Sequence, residues 1–512
     1  MPDINAKKIL FNTSFLYIRI IVSIVISIWT VPVILGSLGV EDYGIYNLVA
    51  GIIAMLSFLN ISMIVSTQRF MSVYLGKEDK SILTNVFNVS IVIHFLLGLV
   101  IVLMLEGCSM FVFDNFLNIS QERIEASKYL FQFLIANMFI LVISVPFDAA
   151  INAHEDMMVF SIISIFDSIF KLILAFSLSY ISVDRLVFYG LGLLCVSSLV
   201  WIIKFIYCYF SYTNLRIKLI SKFDASLMQS MLKFTGYNVV SSFSLVASRQ
   251  GLAVFYNLFF GAIANTAYGI ATQINGALSF FSTTLPNAMN PQLMQSEGAN
   301  NREKVISMSL ISSKLSTIIL ACVVVPLILE MPFVLELWLK DVPLYTLELC
   351  RFILVLSLFY QLSTGLMSSV QAVGNIKFYQ LSVSALYLLT LPISYFLLLS
   401  YKNVIVPLAV CIVVEMITLI VRVAFANKLV GIRWKDFLGG IVTPLLVCIL
   451  LSSLMPLLVV LCIEPCLGRV VLTTVAFLCI FFVLLWKFVL SSSDKKFINS
   501  ILSTVKNKLI RR

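Results

Sequence analysis

Apolar runs of about twenty residues recur along almost the entire chain, and few charges interrupt them. A helix crosses the hydrocarbon core of a bilayer in about 20 such residues, with every backbone N–H and C=O bonded internally. The runs are rich in Leu, Ile, Val and Phe without strict alternation, so they predict helices and not barrel strands. Composition agrees: of 512 residues, 60% are hydrophobic and 12% charged, against about a quarter charged in soluble domains. A water-soluble enzyme and a disordered chain are both excluded.

Windows of about 19 residues give fourteen spans. The first six are 9–35, 45–73, 84–105, 128–147, 157–180 and 186–208. Six more are 234–258, 266–290, 305–330, 344–372, 378–400 and 404–427, followed by 438–463 and 469–490. The expected organisation is therefore all-α and polytopic, with about fourteen transmembrane helices. An N-terminal six-helix lobe (1–208) leads through a basic linker (209–233) to a second six-helix lobe (234–427). Helices 13–14 (438–490) and an amphipathic tail (491–512) complete it. Phe497, Ile498, Ile501, Leu502, Val505 and Leu509 recur at helical spacing in that tail, flanked by Lys and Arg, as in a helix lying on an anionic leaflet. The stretch 215–233 is similar, with Asp224 as its N-cap.

Basic residues set the orientation. With the N-terminus in the cytoplasm, twenty Lys and Arg fall on inner segments and six on outer ones. Both termini and 209–233 are thus expected inside, and the net charge of +10 is mostly a topology signal. The N-terminal run lacks a small-residue cleavage site and reads as a first transmembrane helix. The ten cysteines form no CxxC pair, and only His94 and His154 could join them, so no metal site or cofactor is expected. Cys462 and Cys466, four apart near an outer loop, are the one place for a disulfide, and free thiols are the favoured reading.

A shift of 225 residues places Gly36, Tyr43, Gly44 and Ile45 on Gly261, Tyr268, Gly269 and Ile270. Ala153 and Phe160 fall on Ala372 and Tyr379 at a shift of 219. Two parallel six-helix lobes around a central cavity follow, the usual plan of a transporter.

Polar residues inside the spans recur at helical spacing. The sets are Asn12, Arg19, Ser23, Ser27 and Thr30; Asn238, Ser242, Arg249 and Tyr256; Gln273, Gly276, Phe280, Thr283, Asn287 and Asn290; and Ser357, Gln361, Thr364, Ser368, Gln371 and Asn375. Helix packing through small residues explains Ser and Gly, whereas Gln, Asn and Arg together favour a wet cavity. Nine bases lie in spans: Arg19, Arg69, Lys171, Lys204, Arg249, Lys314, Arg351, Arg422 and Lys487. Each costs about 2.5–3.5 kcal/mol at the bilayer centre if it faces lipid. Lys204 and Lys487 are expected to snorkel, and Arg69 and Arg422 are placed to do so as well. Asp167 and Glu415 are the comparably placed acids; Asp167 can pair with Lys171 and Glu415 with Arg422. The interior keeps an excess of positive charge, which suits an anion.

Several stretches carry a resemblance. They are Leu-Gly-Val-Glu-Asp-Tyr-Gly-Ile-Tyr-Asn at 38–47, Ser-Thr-Gln-Arg-Phe at 66–70 and Ile-Asn-Ala-His-Glu-Asp at 151–156. In the second half they are Asn-Leu-Phe-Phe-Gly at 257–261, Tyr-Gly-Ile-Ala at 268–271, Asn-Pro-Gln at 290–292 and Gln-Ala-Val-Gly-Asn-Ile-Lys at 371–377. In order and spacing the chain resembles bacterial polysaccharide repeat-unit flippases (Wzx-type O-antigen translocases) of the multidrug/oligosaccharidyl-lipid/polysaccharide exporter superfamily. The resemblance implies a cargo: an undecaprenyl diphosphate-linked oligosaccharide, moved to the outer leaflet of the bacterial inner membrane for surface polysaccharide synthesis. It also implies alternating access, and company from the polymerase and chain-length proteins of such a pathway. Candidate substrate-binding residues are Arg19, Arg69, Lys171, Arg249, Lys314, Arg351, Gln273, Asn287 and Gln361. Arg19 and Arg249 are the expected diphosphate site, since Arg offers paired donors to phosphate. Asp167 and Glu415 are the candidates for ion coupling. A multidrug exporter of the same superfamily is the alternative, although a cationic drug would prefer lumenal carboxylates. A membrane glycosyltransferase or ligase is a weaker one, since no DxD motif or His/Asp cluster is present.

Overall fold

A computed structural model describes residues 6–111, 113, 119–213, 215, 224–339, 341–491 and 495. The expected tail helix beyond Lys495, and 216–223 of the linker, lie outside the described residues. The described residues are almost entirely helical and contain no strand. The helices are α1 (Ala6–Ala54), α2 (Ser57–Gly76), α3 (Lys80–Phe111), α4 (Ile124–Ala153), α5 (Met157–Ser177), α6 (Arg185–Ser211) and α7 (Ala225–Gly298). They continue as α8 (Arg302–Leu339), α9 (Thr346–Leu362), α10 (Thr364–Val373), α11 (Lys377–Tyr401), α12 (Val406–Val430), α13 (Thr443–Cys462) and α14 (Leu467–Leu484). Asp224 caps α7 as its position suggested, its Oδ1 accepting from the backbone N–H of Ser226 and of Leu227 at 3.0 Å each. Cys462 and Cys466 are free thiols.

Two long helices are each broken at one glycine. Gly39 in α1 has φ 82°, ψ 170°, and Gly261 in α7 has φ 79°, ψ −173°. That region is essentially closed to residues with a Cβ, so glycine is required at both positions. The matched breaks correct the repeat. Gly39, not Gly36, is the counterpart of Gly261, because Gly36 sits in unbroken helix. Three extra residues between Gly261 and Tyr268 account for the shift of 225 beyond the loop.

Among the described residues eleven helical stretches are long and apolar enough to span a membrane. Of the fourteen expected spans, the second, seventh and eighth fall outside that set. The physical reason is their polar content: α2 carries Ser66, Thr67, Gln68 and Arg69, and α7 carries the two stripes that include Arg249 and Asn287.

The chain divides into two bodies, Asn12–Val239 and Met1–Phe11 with Val240–Arg512. In the first, α4 is the central strut, packed against α2, α3 and α6. Its Leu130, Val142, Val145, Ala149 and Ala150 are wholly buried. The opening turns of α7 belong to this body: Phe234 stands edge-on to Phe70 at 5.7 Å, and Thr235 donates to Ser66 at 2.7 Å. At one end Arg123 donates to Asp42 at 2.7 Å and to Asp184 at 2.5 Å, while Arg185 donates to the Ser37 carbonyl at 2.8 Å. These bonds tie the chain on either side of the Gly39 break to the starts of α4 and α6.

In the second body, α8 runs against α9, α10, α13 and α14. Lipid tails are as apolar as Leu, so tight packing and interhelical hydrogen bonds hold such helices together. Here α8 presents Ser309, Ser313 and Ser316, and α10 presents Thr364, Gly365 and Ser369. Ser309 donates to the Gly365 carbonyl at 2.7 Å, and the Gly365 N–H donates to Ser313 Oγ at 3.0 Å.

Candidate functional site

The first body holds a pair of charge pairs around a cavity of about 120 Å³ between α4, α5 and α6. Lys204 Nζ lies 2.8 and 3.0 Å from the two Asp148 carboxylate oxygens and 3.1 Å from Ser144 Oγ. Lys171 Nζ donates to Asp167 Oδ2 at 2.8 Å, one turn along α5. Asp167 and Lys171 are 29% and 40% exposed in their side chains, whereas Asp148 and Lys204 are 12% and 15%. One pair is nearly buried and the other is partly exposed. Ser164 and Ser197 complete the polar lining. Arg19 stands over the Phe160 ring at 5.1 Å, a cation–π contact, with its Nε making no hydrogen bond. Arg69 stacks similarly over Phe70 at 4.8 Å and Phe234 at 5.2 Å.

In the second body, Arg422 and Glu415 form a buried pair at 2.7 Å, with side chains 1% and 4% exposed. Arg422 also donates to Ser363 Oγ at 2.5 Å and to Tyr387 Oη at 2.6 Å, and Tyr387 donates to Glu415 at 3.1 Å. The Tyr360 ring covers the guanidinium at 5.3 Å. Another buried pair joins α14 to α8: Arg469 donates to Glu330 Oε2 at 2.8 and 3.1 Å, and Thr473 to Oε1 at 2.7 Å. The same guanidinium donates to the Ile463 carbonyl at 2.9 Å, satisfying the open end of α13.

These pairs correct several expectations. Arg422 does not snorkel, because it lies fully inside the bundle against its carboxylate. Lys204 is likewise held by Asp148. Asp167 and Glu415 are not the only embedded acids. The fourth expected span ended one residue before Asp148, but α4 continues to Ala153; the ninth ended at Glu330, but α8 continues to Leu339. Arg469, counted as an outer-loop base, is the third residue of α14 and is buried. A sequence signal for Asp148 existed in Ser144, one turn before it on the same face.

The stripes divide into two kinds. On α7, Gln273, Gly276, Phe280 and Asn287 beyond the Gly261 break are exposed, with Thr283 and Asn290 half-buried, and Arg249 is exposed in the row before it. Tyr256 departs from that row, being wholly buried in the core. On α9 and α10, Gln361, Thr364 and Ser368 are buried, and Gln361 donates to the Ser282 carbonyl at 3.1 Å. That stripe packs helices and does not line a wet surface. Arg351 donates to the Ile328 carbonyl at 3.2 Å, and Lys314, nearly buried, to the Val489 carbonyl at 3.4 Å. The Arg249 guanidinium makes no hydrogen bond and no ion pair among the described residues. Arg19 and Arg249 belong to different bodies. Among the described residues no group of His, Cys, Asp and Glu could hold a metal.

Residues 16–177, from α1 to the end of α5, match the MatE family model. No curated protein matches the sequence. Solved structures do match in fold. A MATE transporter in complex with MaL6 has a TM-score of 0.72 at 16% identity, covering 83% of this chain and 96% of that one. An outward-facing multidrug resistance MATE family transporter of the MOP superfamily has 0.70 at 15%, covering 85% and 100%. A MOP superfamily transporter from Pyrococcus furiosus, described as having a binding pocket of reverse polarity, has 0.69 at 15%, covering 83% and 96%. The chain has the fold of the MATE transporters, with eleven helical stretches among the described residues long and apolar enough to span a membrane, and its first five helices carry the match to the MatE family.

Proposed function

We propose that this transporter moves a lipid-linked anionic saccharide, an undecaprenyl diphosphate-linked oligosaccharide, across the bacterial inner membrane by alternating access. The observation that carries the reading is Arg249: an exposed guanidinium with no carboxylate partner among the described residues, on the stretch of α7 before the Gly261 break, with Gln273 and Asn287 exposed on the stretch after it. Ten bases are embedded in helices once Arg469 is counted, and four of them, Lys171, Lys204, Arg422 and Arg469, are neutralised by acids. Arg249 and Arg19 are not. A diphosphate rewards such residues, because Arg supplies two parallel donors to adjacent oxygens. Amide and hydroxyl groups on the exposed row suit sugar hydroxyls.

Arg249→Ala is expected to abolish surface polysaccharide at normal protein abundance, and Arg249→Lys to retain part of it. Deleting the gene in its host should accumulate the lipid-linked oligosaccharide. Drug export is the second reading, favoured by the solved relatives described as multidrug transporters. Normal polysaccharide in the deletion strain, together with a loss of drug tolerance, would establish that reading instead.

Asp167 is the proposed coupling group, because its pair with Lys171 borders a cavity and stays partly exposed. If it takes up a cation in each cycle, Asp167→Asn should end gradient dependence, and adding Lys171→Met should not restore it. Restored transport in the double variant would mean the pair only stabilises α5, since removing both charges relieves the lone base. For orientation we propose cytoplasmic termini. Single-cysteine labelling from outside should modify Glu464→Cys and spare Asn300→Cys; the opposite pattern would invert the topology.

A further inference from the structure

A second cavity, of about 760 Å³, opens in the second body where the start of α8, the turn after α12, the wound segment Lys435–Val442 and the end of α14 converge. Of the candidate substrate-binding residues only Lys314 lines it; Arg249, Gln273 and Asn287 do not. On α8, Glu303, Ser307, Leu310 and Lys314 point to it from one face at spacings of four, three and four. Lys314 is only 7% exposed, so its ammonium is committed to this interior and bonded to the Val489 carbonyl. Arg433 and Lys435 supply two more cations from the opposite wall. Asp436 is taken up by Arg433, through contacts of 2.8 and 3.1 Å. The rest of the wall is largely apolar, including Ile306, Ile311, Ile441 and Phe488, with Ser491 beside them.

Three cations against two acids, Glu303 and the Arg433-paired Asp436, in a partly apolar cavity match a phosphate with acyl chains attached. The depth also fits. Trp434 and Trp486 stand exposed beside the cavity at the ends of two spans, where indole rings settle at the level of lipid headgroups. Phe488, 69% exposed, extends the apolar wall outward. We propose that this cavity is a binding site for the headgroup of an anionic phospholipid, its phosphate held by Lys314 and Lys435 and its chains lying along Phe488. A lipid seated there bridges α8 and α14 and fixes the last two spans to the second lobe.

The test uses the full chain in phosphatidylcholine nanodiscs and a phosphatidylglycerol carrying a fluorescent acyl chain. Saturable binding is expected, with competition by unlabelled phosphatidylglycerol and not by phosphatidylcholine. Lys435→Gln, an exposed position that can be changed without disturbing the fold, should weaken binding about tenfold, the loss of one charge-assisted hydrogen bond. Lys314→Met should weaken it at least as much. Lys487→Gln, exposed nearby but outside the cavity, should leave it unchanged. Equal affinity for phosphatidylcholine, or wild-type binding by Lys435→Gln, would overturn the site. Displacement by inorganic phosphate at the concentration effective for phosphatidylglycerol would overturn the lipid assignment, leaving a site for free phosphate.

Discussion

Gly365→Ala should cost the second body about 3 kcal/mol or more, enough to remove most of the folded protein from the membrane. An added Cβ would drive into the Ser309 carbonyl oxygen and stand 2.8 Å from Ser313 Oγ and 2.9 Å from its amide nitrogen. Two of those three atoms are backbone, so no rotamer change relieves the clash. Moving α10 away from α8 would break the Ser309 and Gly365 hydrogen bonds, which have no water to replace them. Size-exclusion profiles and detergent-unfolding curves measure the loss. A monodisperse Gly365→Ala protein with wild-type unfolding would mean the helices are not in contact at this point.

Arg422→Met should be nearly as severe, at about 3–5 kcal/mol, because it leaves the Glu415 carboxylate buried without its cation. Two further bonds, to Ser363 and Tyr387, go with it, and these tie α12 to the start of α10 and to α11. Glu415→Gln in the same chain removes the stranded charge, so the double variant should recover much of the loss. A double-mutant cycle read by unfolding gives the coupling directly. Additive losses would show that the two charges do not interact. Recovered stability with intact transport would retire Glu415 as a coupling group and leave it a structural partner of Arg422.

What the sequence made legible follows from the bilayer's physics. Long apolar runs force helices, so the all-α plan and the order of spans could be read before any coordinate. The Glu415–Arg422 and Asp167–Lys171 pairs were legible too, since partners seven or four apart share a helix face. Asp148–Lys204 and Glu330–Arg469 were not, because their partners are 56 and 139 residues apart. Their acids also sit where hydropathy drops and a window ends the span, although the helix continues. Polar periodicity likewise reports a face without saying what covers it. The row through Gln361 turned out to be covered by α7 and α8, and the row through Gln273 and Asn287 was left open. Gly36 was matched with Gly261 on letters alone, whereas the backbone torsion that only glycine tolerates sits at Gly39.

The central claim is that an anionic headgroup on a lipid is the cargo. Purified protein in liposomes, given a polyprenyl diphosphate-linked oligosaccharide with a labelled sugar, tests it by the fraction of label that becomes accessible at the opposite leaflet. The account predicts headgroup translocation that requires Arg249, is competed by soluble diphosphate headgroup analogues and weakens as salt rises. Liposomes that accumulate a cationic drug through this protein, with the labelled headgroup left on its original leaflet, would contradict it.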